Sequence, residues 1–232
     1  MEPLAANPLF GFTLTVGCFY VATLLHSRLR SPLANPLLLS SIIIILVLEL
    51  AGIDYHDYNR GGQILTFFLG PATVALAVPL YNNRRFLRGR MLPLLLIISL
   101  GAFTAMIVAA LTAHFLGADR QVVLSLIPKS VTTPIAVEVA AMIGGIPELA
   151  GVFVIITGLL GALWGPRLLR LCKVRSPLAM GVAIGTAAHG IGTARALEEG
   201  ELPGGASGLA MGIAGLVTPA LAWALLRLLR GN

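Results

Sequence analysis

The sequence has few charged residues, few aromatic residues and only two cysteines. Charged side chains make up 11% of the 232 residues, against about 25% in ordinary globular proteins, and the mean hydropathy is +0.91. So little polar surface cannot cover a water-exposed globule, which excludes a soluble domain. Cys18 and Cys172 lie far apart in or beside apolar segments, and this placement indicates packing residues and no metal site.

Seven apolar segments are about as long as a membrane-spanning helix, which needs roughly 20 residues. The sequence therefore predicts an all-α polytopic membrane protein, organised as one transmembrane domain over residues 1–232. The seven predicted spans are residues 9–25, 37–53, 64–80, 91–116, 149–164, 178–197 and 209–226.

Basic residues predict which loops face the cytoplasm, because Lys and Arg in short loops stay on that side. Basic runs occupy residues 28–30, 84–90, 167–175 and 227–230, and their place between apolar segments is typical of helix ends and not of a nucleic-acid surface. Acidic residues alternate with them, at Glu2 and in the loops that include residues 54–57, 119 and 198–201. This alternation predicts an N-terminus outside and a cytoplasmic C-terminus.

An eighth apolar segment, residues 121–143, has the sequence pattern of a broken helix. Pro128 ends one half-helix, Thr132 or Thr133 can cap the next with Pro134 in its first turn, and Gly144 stops it. One crossing here would place residues 167–175 outside. The charges therefore favour a re-entrant segment that does not cross, although a broken crossing helix within an inverted repeat is the alternative.

The start of the second half-helix is a candidate anion site, since its free N–H groups and the helix dipole favour a carboxylate. Lys129 adds a positive charge, and three hydroxyls accompany it, those of Ser130, Thr132 and Thr133. Glu138, one turn further on, either pairs with Lys129 or holds a coupling proton. The alternative is a kinked helix whose hydroxyls bond its own backbone, with Lys129 reaching the membrane surface.

A second interruption follows Gly70-Pro71, and Thr73 there occupies the position that Ser130 holds after Pro128. The string Arg-Ser-Pro-Leu-Ala also occurs twice, at residues 30–34 and 175–179. Paired broken segments in two halves of a chain are typical of a transporter's central site, so an internal structural repeat with discontinuous helices is one interpretation.

The segment around His189 is rich in glycine and small residues. On a continuous helix, residues 181, 185, 189 and 192 share one face, so a second helix can approach His189 closely. His189 is then either a hydrogen-bonded packing residue or a group that contacts substrate or relays a proton.

Enzyme motifs are missing or incomplete. The glycines at 185 and 190 lack the Gly-Lys of a phosphate-binding loop, and the sequence contains no His-Glu-x-x-His pair for a metal. Ser207 lies in a Gly-Ala-Ser-Gly string like that of intramembrane serine proteases, but no histidine follows it. The sequence therefore predicts neither an enzyme nor a cofactor or metal site.

Four strings together resemble the LrgB/CidB family of bacterial membrane proteins: IPKSVTTPIA (127–136), GPATVALAVPLY (70–81), GTAAHGIGTARA (185–196) and LAMGIAGL (209–216). The resemblance covers nearly the whole chain. It implies a bacterial cytoplasmic membrane and a small LrgA/CidA-type partner protein. The family is described as antiholin-like regulators of murein hydrolases and lysis, whereas a plastid relative exchanges glycolate and glycerate and bacterial relatives are linked to pyruvate.

The residues and the resemblance lead to one hypothesis, a secondary transporter of small monocarboxylates. The substrate carboxylate would bind beside Lys129, with the hydroxyls of residues 130, 132 and 133 reading its neighbouring oxygen. Thr73 and His189 would complete the site, and Glu138 or His189 would carry a proton. The chain would contact lipid and could form homo-oligomers. The rival hypothesis is an antiholin-like regulator that needs no binding site.

Overall fold

The computed structural model describes residues 7–29, 36–68, 71, 74–75, 77–82, 89 and 91–230, and their regular structure is entirely helical, as predicted. The chain divides into two compact units, Met1–Ala75 and Leu76–Asn232, and the single transmembrane domain stays a prediction. The first unit contains α1 (Pro8–Leu29), α2 (Pro36–Ala51) and α3 (Tyr55–Phe67). The second contains α4 (Ala77–Asn82), α5 (Met91–Phe115), α6 (Arg120–Leu126), α7 (Thr133–Ile143), α8 (Pro147–Leu171), α9 (Pro177–Glu198) and α10 (Glu201–Arg230).

Four of these helices are long and apolar enough to cross a membrane, namely α1, α5, α8 and α10. Large apolar side chains cover their outer faces; Leu100 is 65% exposed and Leu216 is 82% exposed, as expected for helices surrounded by lipid. The seven predicted spans are not confirmed. α2 has only 16 residues, and the predicted break around Gly70 and Thr73 lies outside the described residues.

Small residues let the helices of the first unit pack closely. Gly11 of α1 lies against the α3 backbone at Tyr58 and Gly61, where a Cβ atom would not fit. Beside this contact, the Thr15 Oγ1 atom is 2.8 Å from the Tyr58 hydroxyl. Direct backbone contact and this hydrogen bond therefore join α1 to α3.

In the second unit, residues 120–143 form a pair of short helices, named here hairpin A (α6, the turn 127–132 and α7). α7 has Thr132 at its N-cap and Pro134 in its first turn, as predicted, because proline lacks only an N–H that this turn leaves unbonded. It ends at Gly144, whose φ of +88° favours glycine.

The two ends of hairpin A lie side by side. The Ser125 hydroxyl accepts a hydrogen bond from the Ile146 N–H at 2.7 Å, and Gly145 lies against the backbone of residues 124–125. The chain therefore reverses direction within hairpin A, which agrees with the predicted non-crossing segment.

α9 is not the continuous span predicted for residues 178–197. The backbone leaves the helical region at Ala188 (φ −131°, ψ 16°) and at His189 (φ 41°, ψ −137°), so that the helix has two halves, residues 177–187 and 190–198. The positive φ of His189 is a conformation that favours glycine and is strained for other residues.

Contacts between the two halves of α9 show that the chain reverses here too. Gly192 lies against Ile184, and Met180 clusters with Ala196, although a straight helix would separate the latter pair by about 24 Å. We name this element hairpin B (residues 177–198). The prediction that residues 181, 185, 189 and 192 share one face of a continuous helix is therefore wrong.

The long helix α8 connects the bases of the two hairpins. It begins beside Ser125 at the base of hairpin A, because Ile146 directly precedes it. It ends at the base of hairpin B, where the guanidinium of Arg170 is 2.7 Å from the Glu199 carboxylate. Since α8 has 25 residues and is about 37 Å long, the hairpins start from opposite ends of the unit.

The ion pair of Glu199 corrects the predicted sidedness. Glu199 also contacts Arg195 at 2.6 Å, so basic residues 167–175 and acidic residues 198–201 meet at one end of the unit. The alternation of charges along the sequence predicted these two runs on opposite sides of a bilayer core about 30 Å thick. That prediction is wrong, because hairpin B returns where a helix was expected to cross, and α10 then leads to the other end.

We expect residues 172 and 201 to be labelled from the same side of the membrane and residue 227 from the opposite side. Native Cys172 is exposed and serves as the first probe in a Cys18→Ser, cysteine-172-only protein. Glu201→Cys and Arg227→Cys, each in a protein lacking Cys18 and Cys172, supply the other probes. A membrane-impermeant maleimide is added to right-side-out and to inverted vesicles. Labelling of residues 172 and 201 from opposite sides would contradict the reversal.

Candidate functional site

The turn of hairpin A exposes the start of α7. Within the turn, the Lys129 N–H bonds the Leu126 carbonyl at 3.2 Å and the Val131 N–H bonds the Pro128 carbonyl at 3.3 Å. The Thr132 side chain makes no capping hydrogen bond to α7. Pro134 has no N–H and the Ala136 N–H bonds the Thr132 carbonyl at 2.9 Å, so the N–H groups of Thr133 and Ile135 are the ones that remain available to an acceptor.

Lys129 lies at the tip of hairpin A, beside the middle of α5. Its side chain borders a groove formed by residues such as Gly101, Thr104 and Ala105 of α5. Its ammonium is 3.4 Å from the Ser130 hydroxyl, and among the described carboxylates none forms an ion pair with it. A half-buried positive charge thus lies midway along a membrane-length helix without a counter-charge in the described part of the chain.

Glu138 lies on the outer face of α7. It is exposed, as is Pro134 one turn before it, whereas Ala136, Val139 and Ala140 form the buried face. The suggested pair with Lys129 is not formed. Glu138 is therefore accessible from outside the second unit.

His189 lies at the tip of hairpin B and is only 4% exposed. Its Nε2 is 3.0 Å from the Val154 carbonyl of α8; since a carbonyl only accepts, Nε2 carries the proton. The Thr193 hydroxyl donates to the His189 carbonyl at 2.7 Å and accepts from the Ser207 hydroxyl at 2.8 Å. Hydrogen bonds thus fix the tip of hairpin B to both α8 and α10.

Both halves of hairpin B pack on the same stretch of α10. Gly181 and Gly185 of the first half lie directly against the α10 backbone at Pro203 and Ser207, leaving no room for a Cβ atom. Thr193 of the second half reaches Ser207 by its hydrogen bond. Glycine at 181 and 185 therefore permits the backbone contact that seats hairpin B on α10.

The tips of the two hairpins meet. Ser130 and Val131 of hairpin A and Thr186 of hairpin B line one narrow crevice, together with Ala214 and Thr218 of α10. The crevice is too narrow to hold a water molecule, so this structure shows the tips closed on each other.

The structure brings Ser130 and Thr186 together, with Lys129, Thr132 and Thr133 next to Ser130 in hairpin A and His189 at the tip of hairpin B. Glu138 faces away, and Thr73 lies outside the described residues. Sequence reasoning missed four buried hydroxyl residues around the tips: Thr186, Thr193, Ser207 and Thr218. The signal for the first three was a hydroxyl beside glycine or alanine in the most glycine-rich part of the sequence.

Residues 15–228 match the model of the LrgB-like family. Three proteins of Bacillus subtilis (strain 168) are similar to the chain. Uncharacterized protein YwbG is 39% identical over 205 residues (88% of this chain, 91% of that protein), and Uncharacterized protein YxaC is 38% identical over 198 residues (85% and 86%). Antiholin-like protein LrgB is 32% identical over 213 residues (91% and 92%). No solved structure matches the chain.

We expect Gly158→Ala to destabilise the protein by about 1–3 kcal/mol, the usual cost of overpacking. A Cβ atom at Gly158 would lie 2.7 Å from Cε1 and 2.9 Å from Nε2 of the buried His189 ring. Gly212→Ala is the matched control, because that helical glycine has open space around its Cβ position. Thermal unfolding in detergent measures both variants; equal stability of the two would show that the imidazole is not held where the structure places it.

We also expect Thr193→Val and Ser207→Ala to be non-additive. Each change removes the same hydroxyl contact, so the double variant should lose less stability than the two single variants together, with a coupling of about 0.5–3 kcal/mol. A double-mutant cycle of unfolding in detergent measures this coupling. Additive losses would mean that the two hydroxyls do not interact.

Proposed function

The chain belongs to the LrgB-like family, and we propose that it is a secondary transporter of small monocarboxylates such as pyruvate, glycolate or glycerate. The observation that carries the proposal is Lys129, a half-buried positive charge with no ion-pair partner among the described residues. An uncompensated charge at membrane depth is costly, and binding of an anion would offset that cost.

The start of α7 supplies the rest of a carboxylate site. Its first-turn N–H groups have no side-chain cap, and the positive end of the helix dipole lies there. Ser130, Thr132 and Thr133 add hydroxyl groups within a few residues of the Lys129 ammonium. In the proposal, Lys129 neutralises the carboxylate and the N–H groups and hydroxyls orient it.

We propose proton coupling through His189 or Glu138. The His189 Nε2 proton faces Val154, which leaves Nδ1 as the position where a proton can be gained. Glu138 is exposed on α7, within one turn of the proposed carboxylate site, and can exchange a proton there. Thr73 is kept as a proposed site residue on the strength of its sequence position alone.

The arrangement of the second unit suits alternating access. α5 and α8 each have 25 residues and each leads into a reversing hairpin, and the two hairpins start from opposite ends of α8. We propose that these are two halves of an inverted internal repeat, whose hairpin tips alternately open to the two sides. This pairing differs from the predicted pairing of residues 64–80 with 121–143.

In the cell, we propose the cytoplasmic membrane of a bacterium as the location. With the basic residues 167–175 in the cytoplasm, the carboxyl end of α10 lies outside, in place of the predicted cytoplasmic C-terminus, and the N-terminus is kept outside as predicted. Partners would be lipid, a small LrgA/CidA-type membrane protein and further copies of this chain.

A second candidate function is antiholin-like control of murein hydrolases and lysis. The name of the Bacillus relative, Antiholin-like protein LrgB, favours it. A pure regulator gains nothing from Lys129 at the meeting point of two broken hairpins, and for this reason transport is the preferred function.

We expect Lys129→Met to abolish saturable uptake of pyruvate, glycolate and glycerate, because the carboxylate loses its counter-charge. The variant is purified, reconstituted in liposomes and tested with and without a pH gradient. Lys173→Met is the matched control, since the chain's other lysine is exposed after the end of α8. Wild-type liposomes that take up none of the three acids, even with the small partner protein present, would favour the regulator.

A further inference from the structure

The crevice between the hairpin tips has two kinds of wall. Three residues contribute hydroxyl groups, Ser130 from hairpin A, Thr186 from hairpin B and Thr218 from α10. The remaining wall is apolar and includes Ala102 and Met106 of α5. A small molecule with one polar and one apolar side fits such a lining.

The hydroxyl of Thr218 has unused hydrogen-bonding capacity. Thr218 is 1% exposed, borders the crevice, and its side chain makes no hydrogen bond to any described residue. Among the described residues no fully enclosed side-chain oxygen lacks a partner, so the Thr218 hydroxyl is not completely enclosed and can donate to a ligand oxygen. Thr218 can therefore donate a hydrogen bond into the crevice.

The hydroxyl of Thr186 is restricted to the opposite role. Its proton is already donated to the Val182 carbonyl at 2.7 Å, and only its oxygen lone pairs remain. Thr186 can therefore accept a hydrogen bond from a ligand but cannot donate one. The two threonines thus offer one donor and one acceptor on either side of the same space.

We propose that Thr186 and Thr218 form a subsite that reads the oxygen on C2 of the transported acid. This inference rests on the proposed function, in which Lys129 holds the carboxylate. Thr218 donates to the C2 oxygen of a 2-keto or a 2-hydroxy acid, and Thr186 accepts the proton of a 2-hydroxyl group only. The apolar wall at Ala102 and Met106 faces the carbon chain.

Separation of the tips would enlarge the subsite. Ser130 lies on one hairpin and Thr186 on the other, so the crevice widens as soon as the tips part. Because the closed crevice does not hold even a water molecule, a substrate binds there only while the tips are apart, and it then bridges them. The two threonines would then select the acid at the step that commits it to transport.

Competition between glycolate, pyruvate and acetate tests the subsite, because acetate has no oxygen on C2. We expect Thr218→Val to lower the glycolate-to-acetate and pyruvate-to-acetate uptake ratios by about tenfold or more. Thr186→Val should lower the glycolate ratio and leave the pyruvate ratio unchanged, because pyruvate has no hydroxyl proton to offer. Both changes preserve side-chain shape.

Two variants control the test. Thr218→Ser keeps the hydroxyl and should retain the wild-type ratios, which separates loss of the donor from loss of folding. Thr23→Val removes a threonine hydroxyl that bonds the Phe19 carbonyl at 2.8 Å on the exposed face of α1 and should change nothing.

The outcomes separate this inference from the proposed function. If Lys129→Met abolishes uptake but neither threonine variant changes any ratio, the subsite is wrong and the transporter stands. If Thr186→Val lowers the pyruvate ratio as much as the glycolate ratio, the assignment of Thr186 as acceptor is overturned. If the wild-type protein takes up none of glycolate, pyruvate and acetate, the proposed function is wrong and the subsite is wrong with it.

Discussion

Backbone N–H and C=O groups at a helix break inside a membrane have no water with which to form hydrogen bonds, and this constraint determines the structure of both hairpins. In hairpin A, the turn satisfies its own N–H groups with carbonyls three residues back along the chain, and the start of α7 is the part left open. In hairpin B, the Thr193 hydroxyl bonds the His189 carbonyl and the imidazole bonds Val154. Backbone carbonyls replace the missing helix bonds in hairpin A, and side chains replace them in hairpin B.

Small residues make this replacement possible. The glycines of hairpin B bring its backbone onto α10, so that Ser207 and Thr193 meet, and Gly158 of α8 leaves space for the His189 ring. The same packing excludes water. The electric field of a charge such as Lys129 is therefore only weakly screened, because its surroundings are apolar. Close packing and the weak screening of the Lys129 charge are therefore two results of the same composition.

The sequence predicted hairpin A well and hairpin B badly, for a physical reason. Proline at 128 and 134 and glycine at 144 each forbid or favour a particular backbone angle, so the ends of α7 follow from local chemistry. Hairpin B breaks at Ala188 and His189, where no residue requires it, because contacts with α8 and α10 impose the break. The predicted side of Glu199 was wrong for the same reason, since the charge pattern was interpreted with residues 178–197 as a crossing helix. The role proposed for Thr186 and Thr218 could not be predicted from the sequence, because it depends on how α10 packs against the two hairpin tips.

The packing of hairpin B against α10 constrains the order in which these two elements insert into the membrane. Each half of hairpin B is about half a bilayer long, too short to partition into lipid as an independent helix. The α10 residues that receive it, from Pro203 to Ser207, come later in the chain and leave the ribosome afterwards. Hairpin B therefore cannot reach its final depth during its own synthesis. It must wait near the membrane surface until α10 has been inserted, so the central site is completed last.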